Sequence, residues 1–419
     1  MSNFKIEGKG KLNNTIEISG AKNAALKILP AAILADNVST IKNVPDIADI
    51  HQLEDILSSI GVKINHERNT VTIDPSKINT YRPNSKLIKK LRGSIVVIGP
   101  LLSKFGKAVF SQPGGCLIGA RSIDEHLDIF SQMGVKITKK GSEYYLKGKP
   151  KAGEIILNKM SVTATENAMM SAVLAKGTTK IHVAAAEPEI EDLANYLNKM
   201  GAKISGAGTH DITIQGVNSL KGVEYEVMPD RIEAGTYLMA AIATNSEVKI
   251  GPVIPEHLSI VFKKLENAGA KFELITKDKK IFIKTKKHGG LVATNIDTRT
   301  YPGFPTDLQS PYAVLMTQAK GKSQIFETLF EGRFLYIDEL KMLGAKINIL
   351  SPHIINIYGP TELKGEQISS RDIRGGAALV IAALIANGTT TINDVHFIDR
   401  GYERMDEKLI GAGVNIERV

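Results

Sequence analysis

The chain has 419 residues, 43% hydrophobic and 23% charged, with a formal net charge of +9. That balance excludes a disordered polymer, and the length predicts two domains of roughly 200 residues each. The single cysteine, Cys116, excludes an internal disulfide framework and points to a reducing, cytoplasmic setting. The N-terminal stretch lacks the apolar segment of a secretory signal. The longest apolar run, ALVIAALIA at 378–386, is shorter than the roughly 20 residues that span a bilayer. Lysines are scattered and aromatics make up 5%, so no stacking platform for a nucleic acid is expected. The positive charge suits a solvated surface or an anionic small molecule.

One pattern recurs along the chain. KNAALKILPAAILAD (22–36) is apolar nearly all round and predicts a buried helix. LSSIGVKINHERNTVTI (57–73) follows as a helix end, a glycine and two alternating strands joined by a turn. The pair returns as LRGSIVVIGPLLSKFG (91–106) with FSQMGVKITKKGSEYYL (130–146), and as TENAMMSAVLAKG (165–177) with LNKMGAKISGAGTHDITI (197–214). It returns again as RIEAGTYLMAAIATN (231–245) with LENAGAKFELITKDKKIFI (265–283), and as TDLQSPYAVLMTQAKG (306–321) with LKMLGAKINILSPHIINI (340–357). The last copy is IRGGAALVIAALIANG (373–388) with LIGAGVNIERV (409–419). The glycines, Gly61, Gly134, Gly201, Gly269, Gly344 and Gly411, lie 67 to 75 residues apart. With the strand between the helices, such as TTKIHV, each unit reads β-α-β-α-β-β, six copies in all and three per domain.

Polar residues gather at the starts of the buried helices: Lys22 and Asn23; Arg92; Thr165, Glu166 and Asn167; Asp230, Arg231 and Glu233; Asp307; Asp372 and Arg374. Capping explains an aspartate or threonine there, and Asp307 is expected to cap a helix over 308–320. It does not explain Lys22, Arg92 or Arg231, whose charges oppose the helix dipole. An anionic ligand shared by N–H groups, dipole and cation would reconcile them. Cys116 lies in SQPGGCLIGAR (111–121), where glycines permit tight turns and Arg121 would favour the thiolate.

Several segments resemble the UDP-N-acetylglucosamine 1-carboxyvinyltransferases, a branch of the enolpyruvyl transferase family: SGAKNAAL (19–26), LRGS (91–94), PGGCLIGAR (113–121), PDRIEAGTY (229–237), FPTDLQ (304–309), EGRF (331–334) and IDRGYERMDEKL (398–409). The resemblance spans nearly the whole chain. It implies an α/β fold, a two-domain inside-out α/β barrel of six βαβαββ repeats. One domain would be 22–229, with a mobile Cys116 loop, and the other 1–21 plus 230–419, with the active site in the cleft between them. The implied reaction moves the enolpyruvyl group of phosphoenolpyruvate to the 3′-hydroxyl of UDP-N-acetylglucosamine through a tetrahedral ketal, releasing phosphate. It opens peptidoglycan synthesis, and fosfomycin alkylates the cysteine.

By the same resemblance Cys116, Asp307 and Lys22 are catalytic, and Cys116 can carry a 2-(S-cysteinyl)pyruvic acid O-phosphothioketal. Phosphoenolpyruvate falls to Lys22, Asn23, Arg121, Arg333 and Arg400. The nucleotide sugar falls to Arg92, Arg121, Ser122, Ile123, Asp124, Glu125, Lys159, Ser161, Val162, Thr163, Asp307 and Leu329. Asp230, Arg231, Asp372 and Arg374 are implied in domain closure. The sequence departs from the family pattern at Thr163, where glycine is common, at Gly332 for asparagine, and at Arg371 for threonine. No cofactor or metal is expected, because the nine histidines show no H-x3-H spacing and no second cysteine exists. Neither a membrane nor a nucleic acid is an expected partner, and oligomeric state is left open. The alternatives are a 5-enolpyruvylshikimate-3-phosphate synthase, which shares fold and reaction type, and a nucleic-acid-binding protein on a related fold.

Overall fold

The computed structural model describes residues 2–114 and 122–419. Among these the chain forms two compact units, an inner one of residues 20–114 and 122–228 and a split one of residues 2–19 and 229–419. It passes from one unit to the other after Ser19 and again after Met228. No helix among the described residues is long and apolar enough to cross a membrane.

Each unit holds three small sheets and three buried helices. In the inner unit the helices are Lys22–Ala31, Ile98–Phe105 and Val162–Ala172. In the split unit they are Arg231–Ala243, Gln309–Met316 and Ile373–Ile385, which pack on one another. All but Ile98–Phe105, which turns Lys104 to solvent, are buried on nearly every face, so burial and not amphipathicity fixes them. In Ile373–Ile385 only the two end residues escape full burial. A truncation inside it, such as Leu379→Ala, would cost about 2–5 kcal/mol. The outer helices have one apolar face. Pro188–Lys199 starts with proline and two glutamates and ends on lysine, in keeping with its dipole.

The repeat is visible in the sheets. Strand Ser39–Lys42 pairs antiparallel with Thr70–Asp74, which pairs with Lys63–Glu67 in the expected hairpin. Five repeat glycines end their helices with positive φ, from 75° at Gly134 to 109° at Gly201. The sixth expectation is off by two residues: Gly411 is the last residue of the helix Met405–Gly411, and Gly413 takes the left-handed angle, φ 87°. Side chains cost most in that region of backbone space, so the glycine marks the stop wherever the helix ends.

Two strands sit away from their sequence neighbours. Thr15–Glu17 precedes the Lys22 helix in sequence, yet it pairs with Lys249–Val253 in the split unit. Glu224–Glu226 precedes the Arg231 helix, yet it pairs with Ser39–Lys42 in the inner unit. The sixth repeat lacks a second hairpin strand of its own. Phe4–Glu7 fills the gap between Thr389–Asn393 and Ile416–Arg418. A polar knot secures this N-terminal stretch: Lys408 Nζ donates to Ser19 Oγ at 2.7 Å and to Glu233 Oε1 at 2.6 Å, and Ser19 N donates to Glu233 Oε2 at 2.8 Å. Burial raises the Glu233 pKa, and Lys408 opposes that rise.

Candidate active site

The polar starts of the buried helices find partners within their own unit. In the inner unit Lys22 is the first residue of its helix and 6% exposed. Its ammonium lies 2.7 Å from Asp49 Oδ2, on the helix Ala48–Ser58. Asp49 therefore answers the charge that opposed the helix dipole; the sequence offered no signal for it, because the two helices meet only in the fold. Asn23 is half-buried beside Lys22.

Arg92 opens a 3-10 turn, Arg92–Val97, that leads into Ile98–Phe105. Its guanidinium donates to Pro113 O at 3.4 Å and Ser122 O at 3.2 Å. It thus holds both flanks of the segment that contains Cys116 and Arg121. Those two residues lie outside the described part of the chain. Ser122 and Asp124 are exposed, Glu125 is half-buried and Ile123 is buried at the start of the helix Asp124–Gln132. Lys159 is exposed; Ser161, Val162 and Thr163 are half-buried where the helix Val162–Ala172 begins.

A buried hydrogen-bond chain supports this end of the inner unit. Asn167 Nδ2 donates to Ile95 O and meets His126 Nδ1 at 2.9 Å, and Asn167 Oδ1 accepts from Gly99 N. His126 Nε2 lies 3.1 Å from Thr163 Oγ1, so the unusual threonine has a definite partner. Burial, with Arg92 nearby, drops the His126 pKa to about 3, so the ring is neutral near pH 7. Thr165 does not cap the helix: its hydroxyl donates to Ser161 O and accepts from Ala185 N. Glu166 is fully buried, 3.4 Å from Lys27 Nζ. Burial raises its pKa to about 8 in spite of Lys27.

In the split unit Asp230 and Asp372 cap their helices as the sequence implies. Asp230 Oδ1 accepts from Ile232 N and Glu233 N, and Asp372 Oδ1 from Arg374 N and Gly375 N, all within 2.7–3.0 Å. Arg231 lies over the Tyr301 ring, 5.6 Å from its centroid.

Asp307 does something else. The expected helix over 308–320 is shorter, Gln309–Met316, and Asp307 stands in the 3-10 turn before it without capping it. Its carboxylate is shared by two arginines. Arg374 donates from Nε at 3.2 Å and Nη2 at 3.1 Å to Oδ2, and Arg333 Nη2 donates to Oδ1. The two guanidinium side chains are 5% and 6% exposed, against 26% for Asp307. Arg333 Nε also donates to Thr306 Oγ1, which donates to Glu327 Oε2. Glu327 Oε1 accepts from Leu329 N, and this fixes the half-buried Leu329. Burial opposes charge on Arg374, yet Asp307 outweighs it and the guanidinium stays protonated. Arg374 also packs against Tyr402, its guanidinium carbon 5.2 Å from the ring centroid. Arg400 is half-buried, and Arg371 spends its charge on Glu339 at 3.1 Å.

A carboxylate clamped by two cations and a buried lysine pair suit a reaction between anions. A family model for EPSP synthase (3-phosphoshikimate 1-carboxyvinyltransferase) matches residues 6–409. The chain is 43% identical over 420 residues to UDP-N-acetylglucosamine 1-carboxyvinyltransferase 3 of Caldanaerobacter subterraneus subsp. tengcongensis, covering 100% of both chains. It is 45% identical over 425 residues to UDP-N-acetylglucosamine 1-carboxyvinyltransferase of Idiomarina loihiensis, again covering 100% of both. The chain belongs to the UDP-N-acetylglucosamine 1-carboxyvinyltransferase family. Solved structures agree on the fold. The enolpyruvyl transferase NikO from Streptomyces tendae superposes with TM-score 0.89 at 24% identity, covering 100% of this chain and 99% of that one. EPSP synthase from Acinetobacter baumannii superposes at 0.74 and 18%, covering 100% of both. The likeness to EPSP synthase is thus one of architecture, whereas the 1-carboxyvinyltransferases that act on the nucleotide sugar share nearly half of the residues.

Proposed function

We propose that this protein transfers the enolpyruvyl group of phosphoenolpyruvate to the 3′-hydroxyl of UDP-N-acetylglucosamine and releases phosphate, opening peptidoglycan synthesis in the cytoplasm. The observation that carries this is the 43–45% identity, over full length, to relatives of that name. The Lys22–Asp49 pair and the Asp307–Arg333–Arg374 cluster support it, because they supply a phosphate cation and a held base.

Cys116 gives its proton to the methylene carbon of phosphoenolpyruvate. The sugar 3′-oxygen bonds to C2, and its proton passes to Asp307. The ketal then returns a methyl proton to the Cys116 thiolate, the double bond re-forms, and the C2–O bond to phosphate breaks as the leaving phosphate takes up the proton held by Asp307. Lys22, with Asn23, Arg121 and Arg400, neutralises the phosphate and carboxylate, where fixed cations lower the barrier. Arg333 already holds Asp307, so its first task is to orient that base, and its remaining donors face the substrate anion. Arg92, Ser122 to Glu125, Lys159, Ser161 to Thr163 and Leu329 bind the nucleotide sugar. Asp230, Arg231, Asp372 and Arg374 serve domain closure. The test is phosphate release from phosphoenolpyruvate with each acceptor. Turnover with UDP-N-acetylglucosamine and none with shikimate 3-phosphate is expected; the reverse would sink the proposal.

A further inference from the structure

His51, Glu54 and His66 form a cluster of side chains, none of which is given a role above. His51 and Glu54 are one turn apart on the helix Ala48–Ser58, and His66 comes from the strand Lys63–Glu67. One ligand atom from each lies within 4.8 Å of the others. We infer that these three side chains form a binding site for a divalent metal ion of the zinc class, clipping the helix to the hairpin.

The donor geometry carries the argument. Glu54 is 9% exposed, and its two oxygens face two imidazoles. His51 Nδ1 lies 3.2 Å from Oε2 and His66 Nδ1 lies 2.8 Å from Oε1. Glu54 thus faces both rings at once, and its carboxylate raises the His66 pKa. Ligands about 2.1 Å from a tetrahedral ion sit roughly 3.4 Å apart, so the three ligand atoms, within 4.8 Å of one another, must draw together as the ion binds. The other nitrogen of His51, Nε2, lies 2.7 Å from Asp46 Oδ1. A carboxylate there takes the N–H and leaves the Nδ1 lone pair for a metal. Two neutral imidazoles with one carboxylate suit zinc, nickel or copper, whereas magnesium favours oxygen alone. Three protein ligands and the exposed side of His51 leave a fourth position to water. The sequence pattern, His-x2-Glu with a histidine twelve residues on, lacks the H-x3-H spacing of familiar sites, so only the fold exposes it.

The test is equilibrium dialysis of the full chain, stripped with a chelator, against Zn2+ alone, with Mg2+ as control. One Zn2+ per chain and a rise in melting temperature are expected, with neither for Mg2+. Cys116→Ser should still bind. His66→Gln and Glu54→Gln should bind at least tenfold more weakly, and Asp46→Asn, at an exposed position, about 10–100-fold more weakly. Metal-free turnover of His66→Gln, unchanged from the parent, shows that the variant folds. Zn2+ binding that survives both Gln variants but vanishes with Cys116→Ser would assign the ion to the thiol and overturn the inference. Absence of Zn2+ binding to the parent chain would also overturn it.

Discussion

Asp307→Asn separates the two tasks given to this residue. In the parent, one carboxylate neutralises Arg333 and Arg374, whose side chains are 6% and 5% exposed. Removing one partner of a buried ion pair costs about 3–5 kcal/mol. Asp307 is 26% exposed and asparagine keeps one acceptor oxygen, which brings the expected loss to about 2–3 kcal/mol. For a unit of this size, about 2–4 °C per kcal/mol, that is a drop of roughly 4–12 °C in melting temperature. Loss of a general base lowers kcat by about 10²–10⁴. The fall should appear equally in kcat and in kcat/KM for UDP-N-acetylglucosamine, because the proton moves only in the transition state. Calorimetry and continuous phosphate detection read the two effects. Adding Arg374→Gln should cost less stability in the Asn background than in the parent, by about 0.5–3 kcal/mol of coupling. A variant that keeps kcat within threefold of the parent refutes Asp307 as base. One that melts with the parent, and shows no coupling to Arg374, refutes the shared-carboxylate account.

Cys116→Ser should lose most turnover and all inactivation by fosfomycin; ordinary sensitivity to the drug in a turnover assay would remove Cys116 from its role. Lys22→Ala should raise KM for phosphoenolpyruvate far more than for the nucleotide sugar, and should also cost stability by taking the lysine from the buried Asp49 carboxylate. Lys22→Ala with Asp49→Asn should regain stability in a melt but not phosphoenolpyruvate affinity, and regained affinity would show that the pair is only structural. Glu166→Gln tests a pH dependence. With a folded pKa near 8 against an ordinary value of 4.5, the native state holds a proton that the unfolded chain releases, so stability falls as pH rises between those values. The glutamine variant should melt progressively higher relative to the parent from pH 5 to pH 8, and parallel melting curves across that range would count against a neutral Glu166.

The repeat, its buried helices and its hairpins were legible because each depends on local rules: helix stops, alternation and apolar runs. Asp230 and Asp372 were legible as caps for the same reason. Asp307 was not, since a cap and a clamped base share one sequence signature, an aspartate before a helix; Arg333 and Arg374 decide between them and lie 26 and 67 positions away. Asp49 and the His51–Glu54–His66 cluster were invisible for a like reason, as their partners meet only when helix packs on helix or hairpin. Gly411 was misassigned because two glycines in GAG compete for one left-handed position, and only the true helix length selects Gly413.

The strand Phe4–Glu7 is synthesised long before its partners in the sheet. Its neighbours in the sheet, Thr389–Asn393 and Ile416–Arg418, leave the ribosome nearly 400 residues later. Loop-closure entropy and synthesis time both fall on this pairing. The inner unit, by contrast, has its whole sequence by Met228 and can fold while the rest is still being made. Translation therefore leaves an unpaired strand bearing Phe4 and Ile6, both fully buried in the finished protein, open to solvent or to a chaperone throughout. A bulky tag or a short deletion at the N-terminus would bear on the last sheet to close, and hence on the unit that carries Asp307, while the unit that carries Lys22 would fold undisturbed.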